Sequence, residues 1–297
     1  MPAANPLLLL GSFFALYFIW GSTYFAIKVG VESWPPMLMA GIRFIIAGAL
    51  LYAWCRFRGA PNPTLRQWRA GAIVGVLLLT MGNGGVTVAE HMGVASGVAA
   101  LAIATVPLFA LLFGMIWGQR TRGMEWAGIV LGLIGICLLN LGSNLQSSPL
   151  GAVIVLMAGA SWAFGSMWSK HLPLPQGMMA SGVEMLAGGA VLLFGSLLSG
   201  ERLTAAPSAE GWFALLYLIV LGSIVAFSAY MYLLKHVRPA VATSYAYVNP
   251  VVAVMLGVGL GGEHVGFEEM VAMVVIVSAV VLIGLPRRRA PKLAESC

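Results

Sequence analysis

Apolar residues run through this chain in long blocks separated by short connections that carry its charges, prolines and glycines. Cutting at those marks leaves ten blocks, at residues 7–29, 36–56, 69–89, 94–118, 124–143, 150–169, 177–199, 211–234, 239–261 and 268–286. Each approximates the ~20 residues that a helix needs to cross a bilayer. A lipid-exposed backbone must satisfy its hydrogen bonds within its own segment, so the blocks predict helices. The expected fold is all-α: a polytopic membrane protein with ten transmembrane helices.

Composition closes the soluble alternatives. With 60% hydrophobic residues, 9% charged ones and a mean hydropathy of +0.93, no soluble globular domain is described. A net charge of +6 would suggest nucleic acid in a soluble protein. Here the basic residues sit in short loops, so they set orientation and no nucleic-acid partner is expected. With the N-terminus cytoplasmic, the inner loops collect thirteen Lys and Arg residues, from Arg56 to Lys292, against Lys28 and Arg202 outside, while Arg43 stays within a span. Both termini are therefore expected in the cytoplasm. The start of the chain lacks a charged leader and a cleavage site, so it is read as a retained first span. Cys55, Cys137 and Cys297 have no metal-ligand spacing, and neither a metal nor a cofactor is expected.

The second half repeats the first. One constant register places Val98 on Val241, Ala99 on Ala242, Pro107 on Pro250, Ala110 on Ala253, Gly114 on Gly257 and Gly118 on Gly261. Trp20 and Lys28 match Trp162 and Lys170. Ala40-Gly41 through Gly48-Ala49 resembles Ser181-Gly182 through Gly189-Ala190, and Glu125 matches Glu268. Five spans per copy turn the second upside down, giving two inverted repeats, 1–146 and 147–287, and a basic tail, 288–297. Inverted repeats are the common construction of carriers that work by alternating access.

With ten spans, two five-helix copies, a proline in the fourth span of each and Trp20-Gly21 in the first, the chain resembles the EamA family of the drug/metabolite transporter superfamily. Within it the sequence is most similar to YddG-type exporters of aromatic amino acids. The resemblance covers residues 7–287 and implies a multi-pass protein of the bacterial inner membrane. It also implies a cavity lined by spans 1, 3, 4, 6, 8 and 9. The second copy has Trp162-Ala163 where the first has Trp20-Gly21, so close backbone approach is not expected on both sides.

Candidate binding residues follow from what lipid forbids. Pro107 and Pro250 each remove a helical hydrogen bond and free the carbonyls of Ile103 and Ala246, either for a ligand or merely as a packing kink. Asn249 adds an amide beside the second proline, and Tyr245 precedes it. Trp20, Tyr24 and Trp162 offer ring faces to an aromatic side chain or an ammonium, or else serve packing. Asn83, among Gly82, Gly84 and Gly85, can hold either end of a zwitterion or bond a neighbouring helix. Arg43 and Glu184 occupy corresponding positions inside spans, where a charge costs roughly 2.5–3.5 kcal/mol. They can pair, or Arg43 can attract a carboxylate while Glu184 carries a proton. The Gly114/Gly118 and Gly257/Gly261 pairs suit close helix contacts.

No enzyme motif survives inspection. Gly93-Val94-Ala95-Ser96-Gly97 has the wrong spacing for an intramembrane serine protease, and Glu268-Glu269 lacks the arginine of a CaaX-type metalloprotease. No charge rings or filter loops suggest a channel. No catalytic residue is assigned. The expected partners are a small-molecule substrate, an amino acid or similar metabolite, and membrane lipid. Export of a drug or another amphipathic metabolite stays open, as do uniport against proton antiport and monomer against homodimer.

Overall fold

A computed structural model describes residues 5–92, 103–139, 149–249, 251–252 and 267–284. Its helices, numbered along the chain, are α1 (Pro6–Val31), α2 (Pro36–Phe57), α3 (Leu65–Ala89), α4 (Val106–Ile116), α5 (Gly123–Leu139), α6 (Pro149–Ser169), α7 (Met178–Leu198), α8 (Ala209–His236), α9 (Pro239–Ala242) and α10 (Phe267–Gly284). Helices α1, α2, α3, α7 and α8 are long and apolar enough to cross a membrane, and the apolar stretches of α4, α5, α6 and α10 are shorter. Each of these nine overlaps one of the ten expected blocks, of which 94–118, 124–143 and 268–286 lie partly outside the described residues. The remaining block, 239–261, also lies partly outside them, as do Pro250, the Gly257/Gly261 pair and the basic tail.

Helix starts follow local chemistry. Asn5 accepts from the Leu7 amide with Pro6 in the first turn of α1, and Thr64 with Gln67 forms a reciprocal capping box on α3. Helix α2 opens on Pro35-Pro36 without a cap of its own. Glu201, from the connection after α7, supplies one: its carboxylate accepts from the Met37 amide at 3.1 Å and the Leu38 amide at 2.8 Å. At the far end of α4, Gly118 takes a φ of +71°, with Gln119 N donating to Gly114 O. Gly118 is thus a helix stop that needs a left-handed backbone, and the packing face expected of the Gly114/Gly118 pair is corrected accordingly.

Glycine decides how the long helices meet. A Cβ on Gly48 of α2 would lie 2.8 Å from Leu186 N and 2.9 Å from Gly182 O of α7. Reciprocally, a Cβ on Gly189 of α7 would lie 2.9 Å from Ile45 N and 3.1 Å from Gly41 O. The backbones therefore touch along the two stripes that matched in sequence. Helices α5 and α10 meet likewise, through Gly128 and Gly135 against Ala279 and Ile276. Helix α3 packs on α6 as α8 packs on α1, and α3 on α7 as α8 on α2. Each of these contacts is either its own counterpart or has one five helices further on. The outward residues, including Leu7, Phe14, Phe25, Leu197 and Phe213, are exposed and apolar, which suits a lipid surround.

Candidate functional site

Three of the long helices lose α geometry partway along. Helix α1 is π-helical over Ala15–Ile19, α3 over Val76–Gly84 and α8 over Leu218–Val225. Such turns interrupt the i→i−4 ladder and often mark functional sites. In each, a side chain from a neighbouring helix takes up a carbonyl. Ser161 Oγ donates to Leu77 O at 2.9 Å, and Trp20 Nε1 donates to Gly222 O at 3.0 Å. Asn249, with its amide oriented to satisfy both groups, donates through Nδ2 to Leu16 O and Tyr245 O, each at 3.1 Å.

Beside the π-helical segments of α3 and α8, and past the end of that of α1, there is a cavity of about 90 Å³. Its walls come from α1 (Trp20, Thr23), α3 (Gly82, Asn83), α4 (Val106, with Ile103 just before it), α6 (Trp162), α8 (Gly222, Phe227) and the segment after α9 (Tyr245, Asn249). Those are the helices that the family resemblance implied. Helix α2 also contributes, through Arg43 and Phe44.

One wall is aromatic. Trp20 meets Tyr245 edge-on at 4.9 Å between centroids and Trp162 at 5.6 Å, while Tyr230 lies 5.3 Å from Trp20 and 5.5 Å from Trp162. Tyr230 is fully buried, with its hydroxyl held by Trp162 Nε1 at 3.1 Å and by Ser166 Oγ at 2.6 Å. Such polar anchoring fixes ring planes that would otherwise rotate.

The polar groups are few. Arg43 is 4% exposed, and its Nε donates to Ser223 Oγ at 2.7 Å. Its guanidinium carbon stands 4.8 Å from the centroid of the Phe44 ring. A Cβ on Gly222 would lie 3.0 Å from Nη2 of Arg43, so the glycine makes room for the guanidinium. Among the described residues, buried Asn83 Oδ1 has no hydrogen-bond partner. Glu184 is fully buried on α7, and among the described residues neither of its oxygens has a hydrogen-bond partner. Among the described residues the ion pair joins Arg238 to Glu125, so Arg43 and Glu184 do not pair.

Of the sequence candidates, Trp20, Asn83, Trp162, Tyr245 and Asn249 come together at the cavity. Asn249 also ties two strands of backbone to each other. Pro107 is buried in the first turn of α4, one residue beyond lining Val106, and the helix break falls before it at Thr105. Pro250 and the side chain of Tyr24 lie outside the described residues. Sequence reasoning passed over Tyr230, Phe227, Gly222 and Ser223. The AFSAYMY run reads as one more apolar span, and its only signal was the density of aromatic and small hydroxyl residues.

Known proteins place this arrangement. The EamA-like transporter family matches residues 7–141 and again 149–285. The chain is 56% identical over 277 residues to the "Uncharacterized inner membrane transporter YedA" of Escherichia coli (strain K12), covering 93% of this chain and 90% of that one. It is 24% identical over 252 residues to the "Uncharacterized transporter YoaV" of Bacillus subtilis, covering 80% of this chain and 84% of that one. A solved structure described as "Crystal structure of protein" has the same fold, with a TM-score of 0.78 at 20% identity, over 95% of this chain and 98% of that one. With two consecutive family matches spanning nearly its whole length, the chain belongs to the EamA-like transporter family and is a membrane transporter.

Proposed function

We propose that the protein exports small metabolites, aromatic or other apolar amino acids foremost, from the cytoplasm of a bacterium across its inner membrane. Two inverted five-helix repeats, 1–146 and 147–287, rock about the cavity, and the tail 288–297 stays in the cytoplasm. The observation that carries this reading is the cavity itself. Aromatic rings wall it on one side, and it is lined from the π-helical segments of α3 and α8 and by Trp20, which follows that of α1. Ring–ring contacts of the kind found there are worth about 0.5–1.5 kcal/mol each beyond simple burial. The inverted arrangement is supported by the α2/α7 and α5/α10 pairings and by the matched α3/α6 and α8/α1 contacts. The inner-membrane location is supported by the similarity to YedA.

In this reading Trp20, Tyr24, Asn83, Trp162, Tyr245 and Asn249 contact the substrate, and Pro107 and Pro250 shape the broken helices beside it. At about 90 Å³ the cavity has room for water but is small beside a whole amino acid. A whole aromatic side chain needs Trp20 or Trp162 to swing aside, so substrate entry is coupled to movement of the walls. Glu184, buried with no hydrogen-bond partner among the described residues, is the candidate proton carrier.

The test is counterflow of labelled L-phenylalanine in proteoliposomes against a panel of unlabelled compounds, with and without a pH gradient. Saturable exchange favouring aromatic and branched amino acids is expected. A panel in which only uncharged amphipathic drugs exchange would contradict the amino-acid reading. Glu184→Gln is expected to remove the response to the gradient while leaving counterflow intact, and an unchanged response would eliminate the proton role.

A further inference from the structure

We propose that Arg43 is the carboxylate receptor of the cavity, so that the transported molecule carries a carboxylate beside its apolar body; this rests on the export reading above. A guanidinium offers five donors in a rigid plane, and among the described residues the Nε donor goes to a neutral oxygen, Ser223 Oγ. Among the described residues no carboxylate meets the others. Glu184, the residue in the corresponding repeat position, makes no hydrogen bond to anything described.

The cation is nonetheless held in place from several sides. Ser223 fixes Nε, the Phe44 ring lies against the guanidinium, and Gly222 leaves the space that Nη2 fills. Such a group is oriented before any ligand arrives, which removes much of the ordering cost of binding. Its remaining fork suits two parallel bonds to a carboxylate.

Charge completes the argument. A buried cation that no carboxylate among the described residues meets is expensive, and an entering carboxylate relieves that cost. An amine without a carboxylate meets the opposite situation, a like charge at close quarters. Asn83 Oδ1, a buried acceptor on the same cavity with no partner among the described residues, is suited to an ammonium, so a zwitterion finds a group for each pole.

The experiment is competition against labelled L-phenylalanine counterflow in proteoliposomes of the full chain. The competitors are 3-phenylpropionate, L-phenylalaninamide and phenethylamine. The carboxylate is expected to compete at concentrations at least tenfold lower than the amide and the amine. Arg43→Gln is expected to raise the half-saturating phenylalanine concentration at least tenfold. Ser223→Ala should raise it severalfold, and Arg43→Lys should restore part of the loss.

Phenethylamine competing as well as 3-phenylpropionate would overturn the assignment while leaving export of amphipathic molecules standing. So would an Arg43→Gln protein that elutes like wild type and keeps its half-saturation. Wild-type protein that moves no phenylalanine in this assay would overturn the export reading together with it. Should Arg43→Gln fail to fold, the analogue series on wild type and on Ser223→Ala decides.

Discussion

Gly222 shows how much a single missing side chain can position. Its carbonyl receives Trp20, while a Cβ there would press on Arg43 Nη2 and on Thr23 Cγ2, both at 3.0 Å. Gly222→Ala should therefore displace the guanidinium and cost about 1–3 kcal/mol of stability. A lowered melting temperature in detergent with impaired phenylalanine counterflow is the expected outcome. A second residue, Lys170, sits just beyond the end of α6, where burial pushes its ammonium down to about 8. The unfolded chain then holds more protons than the folded one between about pH 8 and the usual lysine value near 10.5, so stability rises with pH across that window. Lys170→Met should be more stable than wild type by about 1–2 kcal/mol at pH 7 and lose that advantage by about pH 10.5, as melting curves across that range would reveal. Individual residues were legible in sequence where lipid makes them expensive. Asn83 and Arg43 stood out for that reason, whereas Tyr230 and Ser223 did not, because tyrosine and serine are unremarkable in a span until their partners are known.

At the level of helices, the π segments and the breaks carry the site, and only part of this could be read in advance. Hydrophobic periodicity barely changes over a single π turn, so TMGNGG in α3 advertised close approach and a polar group but not the π turn. Pro107 lies on a helix that borders the cavity, but the helix break is not at the bond it was expected to remove. Pro107 lacks an amide hydrogen that a first-turn residue would leave unpaired anyway, so the chain breaks upstream of it, at Thr105. Between α9 and Asn249 the break falls at Thr243 and Ser244, several residues before Pro250, where i→i+3 bonds such as Ala246 N to Thr243 O replace the regular ladder. The glycine stripes, in contrast, were visible as sequence matches, and they became the α2/α7 contact. Because those backbones touch directly, no flexible side chain can yield to an added methyl. Gly48→Ala and Gly189→Ala should each cost about 2 kcal/mol or more, while Gly11→Ala, with nothing within 4 Å of its Cβ, should cost nothing measurable. Melting temperatures of the three variants check this directly.

The whole molecule repeats one packing scheme. The matched helix pairs explain why the fold was largely predictable: a membrane helix announces itself by length and composition, and a duplicated unit announces its own partner. The substrate was less readable, since the cavity is assembled from seven separated stretches whose meeting point no spacing encodes. Ion pairing also crosses the halves. Arg238, before α9, donates through Nη2 to Glu125 Oε2 at 2.6 Å and to Arg120 O at 3.1 Å, joining the start of α5 to the start of α9. The central claim is that the cavity between the two halves opens to each side of the membrane in turn. It is tested most directly by placing a cysteine at Val86, which lines the cavity, in a chain whose Cys55, Cys137 and Cys297 are alanine. Reaction with a membrane-impermeant thiol reagent is then followed in right-side-out and inside-out vesicles. Labelling from both faces, slowed by phenylalanine, is the predicted result, and labelling confined to one face under all conditions would contradict the account.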